Sequence, residues 1–110
     1  MTITDLIREA HETAANKGFW DTGIDGRDLP QKHMLIVEEV AEANAEIREG
    51  RSLLEVWYEG EKPCGYGIEL ADIIIRVCDL AGAFGIPLEG LIRAKMDYNK
   101  TRPYRHGKQF

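Results

Sequence analysis

The segment Ile68-Glu-Leu-Ala-Asp-Ile-Ile-Ile-Arg-Val-Cys-Asp-Leu80 constrains the fold of this chain more than any other feature. Read at the helical period it is apolar on most of its circumference, and a helix that is hydrophobic nearly all round is a buried one. Yet it carries Glu69, Asp72, Arg76 and Asp79, at relative positions 0, 3, 7 and 10. At about 100° per residue these fall within an arc of roughly 80° on one face. Such a helix needs other helices around it, and its carboxylates need partners, because buried carboxylates are costly unless paired or bound to metal.

The rest of the chain supplies those helices. Leu6, Ile7, Ala10, Ala14 and Ala15 recur at helical spacing and predict a first helix over about Thr4–Lys17, with Thr2 or Thr4 as its cap and Gly18 as its stop. A turn-rich stretch from Asp21 to Asp28 leads to Pro30, which suits the first turn of a second helix running to about Glu49, with Asp28 nearby as a cap and Gly50 after it. The buried helix itself spans Tyr66–Phe84 and stops at Gly85; Pro87 opens a fourth, over about Leu88–Asn99. Between the second and third helices, residues 51–65 read as a short helical turn or a strand, broken by Pro63 and Gly65. No segment alternates cleanly with a period of two, so the expected class is all-α: a four-helix, bundle-like protomer forming one domain over residues 1–110, with 101–110 a basic tail.

The second helix repeats the acidic spacing. Glu39, Glu42, Glu46 and Glu49 stand at the same offsets of 0, 3, 7 and 10, again on one face. If the two stripes face each other, at least four carboxylates converge. Two like charges about 4 Å apart repel by roughly 4 kcal/mol at an effective dielectric near 20, a penalty that a divalent cation converts into binding energy. A set of oxygen ligands favours Mg²⁺ or Mn²⁺ over zinc. The competing readings are a solvated acidic face on the second helix and neutralisation of the cluster by Arg76.

Other chemistries fail on inspection. A ferritin-like diiron site needs Glu-x-x-His on two helices, but Arg8, Pro30 and Pro103 stand three before His11, His33 and His106. The twelfth position of an EF-hand loop begun at Asp21 is Lys32 where a glutamate is required. Gly65-Tyr-Gly67 lacks the third glycine of a dinucleotide fingerprint, there is no P-loop, and Ser52, the one serine, stands outside any nucleophile elbow. Cys64 and Cys78 form no C-x-x-C or Cys/His cluster. The net charge of −5 argues against broad nucleic-acid binding, and no apolar stretch is long enough to cross a bilayer. With no signal-peptide core at the start, a cytoplasmic protein is expected.

The C-terminal end has the opposite charge: Lys95, Lys100, Arg102, Arg105 and Lys108 against the single acid Asp97. Lys95, Asn99 and Arg102 share one face if the helix persists. A cationic arm beside an acidic metal site suits a triphosphate; otherwise it is a solvated tail.

These residues resemble the MazG-like nucleoside triphosphate pyrophosphohydrolases, an all-α family with Glu-Glu-x-x-Glu on one helix and Glu-x-x-Asp on the next. Here the motifs are Glu38-Glu39-Val-Ala-Glu42 and Glu69-Leu-Ala-Asp72, and the likeness extends through Lys95-Met-Asp-Tyr-Asn99-Lys-Thr-Arg102 to His106-Gly-Lys108. The resemblance implies Mg²⁺-dependent hydrolysis of a nucleoside triphosphate to the monophosphate and pyrophosphate, in nucleotide-pool control or housecleaning. By position, Glu39, Glu42, Glu69 and Asp72 would hold the metal, and Glu38 (with Glu39 the catalytic pair) would orient or deprotonate the attacking water. Lys95, Asn99, Arg102, Arg105 and Lys108 would bind phosphate. Trp20 would stack on the base or serve as a core or interface aromatic; His11 and Asn16 are similarly placed. The resemblance also implies a homodimer or homotetramer, in keeping with the limited core available to so short a chain. Alternatives are a phosphoribosyl-ATP pyrophosphohydrolase, a dimeric-type dUTPase, or a non-catalytic helical module that binds nucleotide or protein.

Overall fold

The computed structural model describes residues 1–109, and His106 by its backbone alone. Phe110, and the His106 side chain of the tail motif, lie outside the described residues. Four helices make up most of the chain: α1 (Ile3–Asn16), α2 (Leu29–Arg48), α3 (Tyr66–Phe84) and α4 (Leu88–Thr101). Two short 3-10 turns, Gly26–Asp28 and Tyr104–Gly107, precede α2 and follow α4.

The helix ends follow local chemistry. Thr2 caps α1 in a reciprocal box: its hydroxyl accepts from the Asp5 N–H while the Asp5 carboxylate accepts from the Thr2 N–H. Asp28 occupies the N-cap position of α2 but makes no capping hydrogen bond, leaving Pro30 in the first turn as the main start signal. Gly85 ends α3 in the left-handed conformation.

Residues 57–64 form a β-hairpin, the one departure from an all-helical chain among the described residues. Strand β1 (Trp57–Glu59) pairs antiparallel with β2 (Lys62–Cys64), Trp57 opposite Cys64, around Gly60 at φ +64. Strands of three residues are too short to show the alternation that reveals a strand in sequence. The hairpin is tied down at Gly65, the residue before α3. Gly65 has φ +135, and a β-carbon there would sit 2.4 Å from the Glu55 carbonyl oxygen, so only glycine lets the chain pass.

Helix α3 is central. It runs antiparallel to α1, with Gly82 against Ile7 and His11, and antiparallel to α2, with Arg76 on Glu39 and Glu69 beside Glu42. At Gly82 the approach is close enough that a β-carbon would lie 2.6 Å from that of His11. Helix α4 meets the others mainly at the start of α1, where Glu89 accepts from the N–H groups of Ile3 and Thr4. It extends away from the rest, so the chain by itself is not a closed four-helix bundle.

The interior is correspondingly thin. Among the described residues only Ala10, Trp20, Ala43, Cys64, Cys78 and Ala81 are buried apolar side chains, and no large one is completely enclosed. The accessible surface is 8248 Å², about 2,100 Å² more than a monomer of this mass normally exposes. The radius of gyration is 16.5 Å, against about 13 Å for a compact chain of this length. Much of the excess is apolar: Met34, Val37, Val40 and Ile47 on α2, and Leu70 and Ile74 on α3, are exposed. Among the described residues no helix is long and apolar enough to cross a membrane.

Candidate metal centre

Because α2 and α3 are antiparallel, the two acidic stripes meet near the start of α3. Glu39 from α2 and Glu69 and Asp72 from α3 each offer a carboxylate oxygen, all within 4.8 Å of one another. Glu42 and Glu46 line the same cleft, of about 300 Å³, whose far wall is the hairpin through Trp57, Glu59, Lys62 and Cys64.

This cluster is under-compensated. Arg76 donates from Nε to Glu39 Oε1 at 2.8 Å, so the arginine neutralises part of the cluster. Glu39 Oε2, Glu46 Oε2 and Glu69 Oε2 are nonetheless buried without a hydrogen-bond partner. Arg51 stands 3.8 Å from Glu46 Oε2, an ion pair too long to be a hydrogen bond. Burial, then the neighbouring carboxyl groups of Glu42, Glu39 and Asp72, push Glu69 up to about 7. Asp72 is raised as well, by burial and by the charge of Glu39, against the opposing charges of Arg76 and Lys62. Orphaned carboxylate oxygens converging at this spacing are what a hard divalent cation requires, and the all-oxygen donor set fits Mg²⁺ or Mn²⁺. Glu39, Glu69 and Asp72 can therefore hold a metal ion.

A second cavity, of about 500 Å³, opens between α1, α2 and α3. Glu39, Asp72 and Arg76 line it too, so it adjoins the acidic cleft. Leu6, Phe19, Trp20, Leu35, Ile75 and Leu80 supply apolar walls, and Lys17, Lys32 and Asp79 supply charge. Trp20 is buried with its indole N–H on Asp79 Oδ1 at 2.8 Å, its edges near His11 and Phe84, and Lys32 Nζ 4.3 Å from the ring centre. It is at once a core aromatic and a cavity wall.

No family model, curated protein or solved structure matches this chain.

Of the residues singled out in sequence, Glu39, Glu69 and Asp72 come together, Glu42 lies beside them and Trp20 lines the adjoining cavity. Glu38 is exposed and lines neither cavity. Lys95, Asn99, Arg102, Arg105 and Lys108 also line neither; Lys95 and Arg102 approach the ring of Tyr98 instead, at 5.0 and 5.7 Å. Glu46 and Lys62 belong to the cleft without having been singled out for it. Glu46 was visible as the third member of its stripe, whereas Lys62 gave no signal, because the hairpin that carries it was not legible.

Proposed function

We propose that this protein is a divalent-metal-dependent nucleoside triphosphate pyrophosphohydrolase, splitting its substrate between the α and β phosphates and acting as a homo-oligomer. The observation that carries the reading is the pairing of an under-compensated carboxylate cluster with a largely apolar cavity, the two sharing Glu39 and Asp72. The cavity lies within the size range of small-ligand sites and suits a base and sugar, while the cleft suits the phosphates.

Glu39, Glu42, Glu69 and Asp72 would hold Mg²⁺, which when bound supplies Lewis-acid polarisation of the phosphates and neutralises the cluster. Arg76 fixes Glu39 through Oε1, leaving Oε2 for the cleft. Lys62, across the cleft, adds positive charge where phosphate oxygens would lie. Glu46, which lines the cleft and whose buried Oε2 has no hydrogen-bond partner, is better placed than exposed Glu38 to accept the proton of the attacking water.

The phosphate-binding role of Lys95, Asn99 and Arg102 requires a second copy in this reading, since α4 leads away from the cleft of its own chain. The surplus of about 2,100 Å² supports such a partner: buried on each of two copies, it would give an interface of obligate-dimer size.

The test is pyrophosphate release from a panel of canonical and modified nucleoside triphosphates, with Mg²⁺ or EDTA, on the wild type, Glu69→Gln and Asp72→Asn. The reading expects metal-dependent release lost in both variants. The panel includes phosphoribosyl-ATP and dUTP, which separate the related activities. Folded, metal-loaded protein that cleaves nothing would leave a binding module in place of an enzyme.

A further inference from the structure

We infer that Asp79 reads the ligand in the larger cavity, accepting a hydrogen bond from an exocyclic amino group, so that cytosine and adenine are preferred over their keto counterparts uracil and hypoxanthine. The inference rests on the cavity's being a base site, as in the reading above, and goes on to name the chemistry of the base.

Asp79 lies one turn beyond Arg76 on α3, against α1. Its Oδ1 is saturated: His11 Nδ1 lies 2.9 Å away and Trp20 Nε1 donates at 2.8 Å. A carboxylate only accepts, so the His11 contact is an Nδ1–H donating to Oδ1. These two bonds fix the rotation of the carboxylate group. Oδ2 has no donor among the described residues, and Asp79 lines the cavity. The chamber has apolar walls in Leu35, Ile75, Leu80 and aromatic rings and cations in Lys17, Lys32 and Arg76, and at this end Asp79 offers an acceptor whose Oδ2 takes no donor from the described residues.

The donor's chemistry follows from what a carboxylate tolerates. An exocyclic amino group projects beyond its ring, so a carboxylate can accept its hydrogen while standing clear of the ring nitrogens set back beside it. The ring N–H of uracil stands between two carbonyl oxygens, and that of hypoxanthine beside one. Presenting either to Oδ2 brings a carbonyl oxygen against the carboxylate. Cytosine-type and adenine-type bases fit; their keto counterparts do not. His11 and Trp20 are positioning residues here, and their own bonds to Oδ1 are what point Oδ2.

Binding of cytidine, uridine, adenosine and inosine, followed by tryptophan fluorescence, tests this without metal, phosphate or turnover. Wild type is expected to bind cytidine over uridine, and adenosine over inosine, by about tenfold or more, the ratio set by one charge-assisted hydrogen bond. Asp79→Asn keeps an oxygen for His11 and Trp20 and replaces Oδ2 with an N–H donor, so the preference is expected to invert. Equal binding of each pair in wild type, no binding of any of the four, or an unchanged ratio in a folded variant would each overturn the inference. Wild type alone suffices if the variant fails to fold. Nucleosides discriminated with no triphosphate cleaved would remove the hydrolase and leave this inference standing. Triphosphates cleaved without regard to amino or keto substitution would do the reverse.

Discussion

Replacing Glu69 by glutamine should make the metal-free protein more stable at alkaline pH, although it removes a residue from the candidate site. In the folded chain burial and the neighbouring carboxyl groups push Glu69 up to about 7, from an ordinary glutamate value of 4.5. A carboxyl whose folded pKa is raised favours the protonated form, so its full contribution to stability is present below about pH 4.5. That contribution is lost as pH rises through 4.5 to 7, and above this range the ionised group is a net burden. The shift corresponds to about 3 kcal/mol, which screening of a partly accessible cleft reduces to about 1–2 kcal/mol. For a domain of this size, that is a melting-point difference of about 5–10 °C. Thermal unfolding by circular dichroism would be followed at pH 5 and pH 8, at one protein concentration, in EDTA and in Mg²⁺. Wild type in EDTA should lose stability between the two pH values, and Glu69→Gln should lose much less. With Mg²⁺ the order at pH 8 should reverse, since the cation rewards the ionised form. A Glu69→Gln protein less stable than wild type at pH 8 in EDTA would refute the reasoning, for it would mean the cluster is already neutralised without metal.

Three further outcomes are expected. Val37→Asp and Val40→Asp, on the exposed face of α2, should lower the molar mass measured by light scattering toward that of the monomer, and together should abolish the proposed homo-oligomer. Arg76→Ala leaves Glu39 Oε1 without its donor; urea unfolding in EDTA should show a loss of about 1–3 kcal/mol, and added Mg²⁺ should restore more stability than in wild type. Gly65→Ala, which would put a β-carbon against the Glu55 carbonyl, should cost about 2 kcal/mol or more in the same assay and release the hairpin to faster amide hydrogen exchange.

What the sequence disclosed tracks how local each determinant is. The bounds of α3 were legible to the residue, because Gly65 and Gly85 punctuate it and its apolar pattern is continuous. The hairpin was not, since Trp57-Tyr58-Glu59 and Lys62-Pro63-Cys64 are too brief to declare a period. Among the site residues, Glu39, Glu69 and Asp72 could be grouped because identical offsets on two helices meet once those helices pack. The face of Lys95, Asn99 and Arg102 could be recognised, but its position could not, because a helix's own period says nothing about which element it approaches. Asp79 was visible as the last member of its stripe. That it turns toward His11 and Trp20 depends on the contact at Gly82, which no spacing along one helix reveals.

Glu39 and Asp72 border both the acidic cleft and the larger cavity, and that common border has a thermodynamic consequence. A cation bound on one side and an organic ligand bound on the other would act on the same two carboxylates. Linkage then works in both directions: whatever factor the cation adds to the ligand's affinity, the ligand returns to the cation's. Neither dissociation constant belongs to one site alone, and either partner titrated in the absence of the other measures only half of a joint equilibrium.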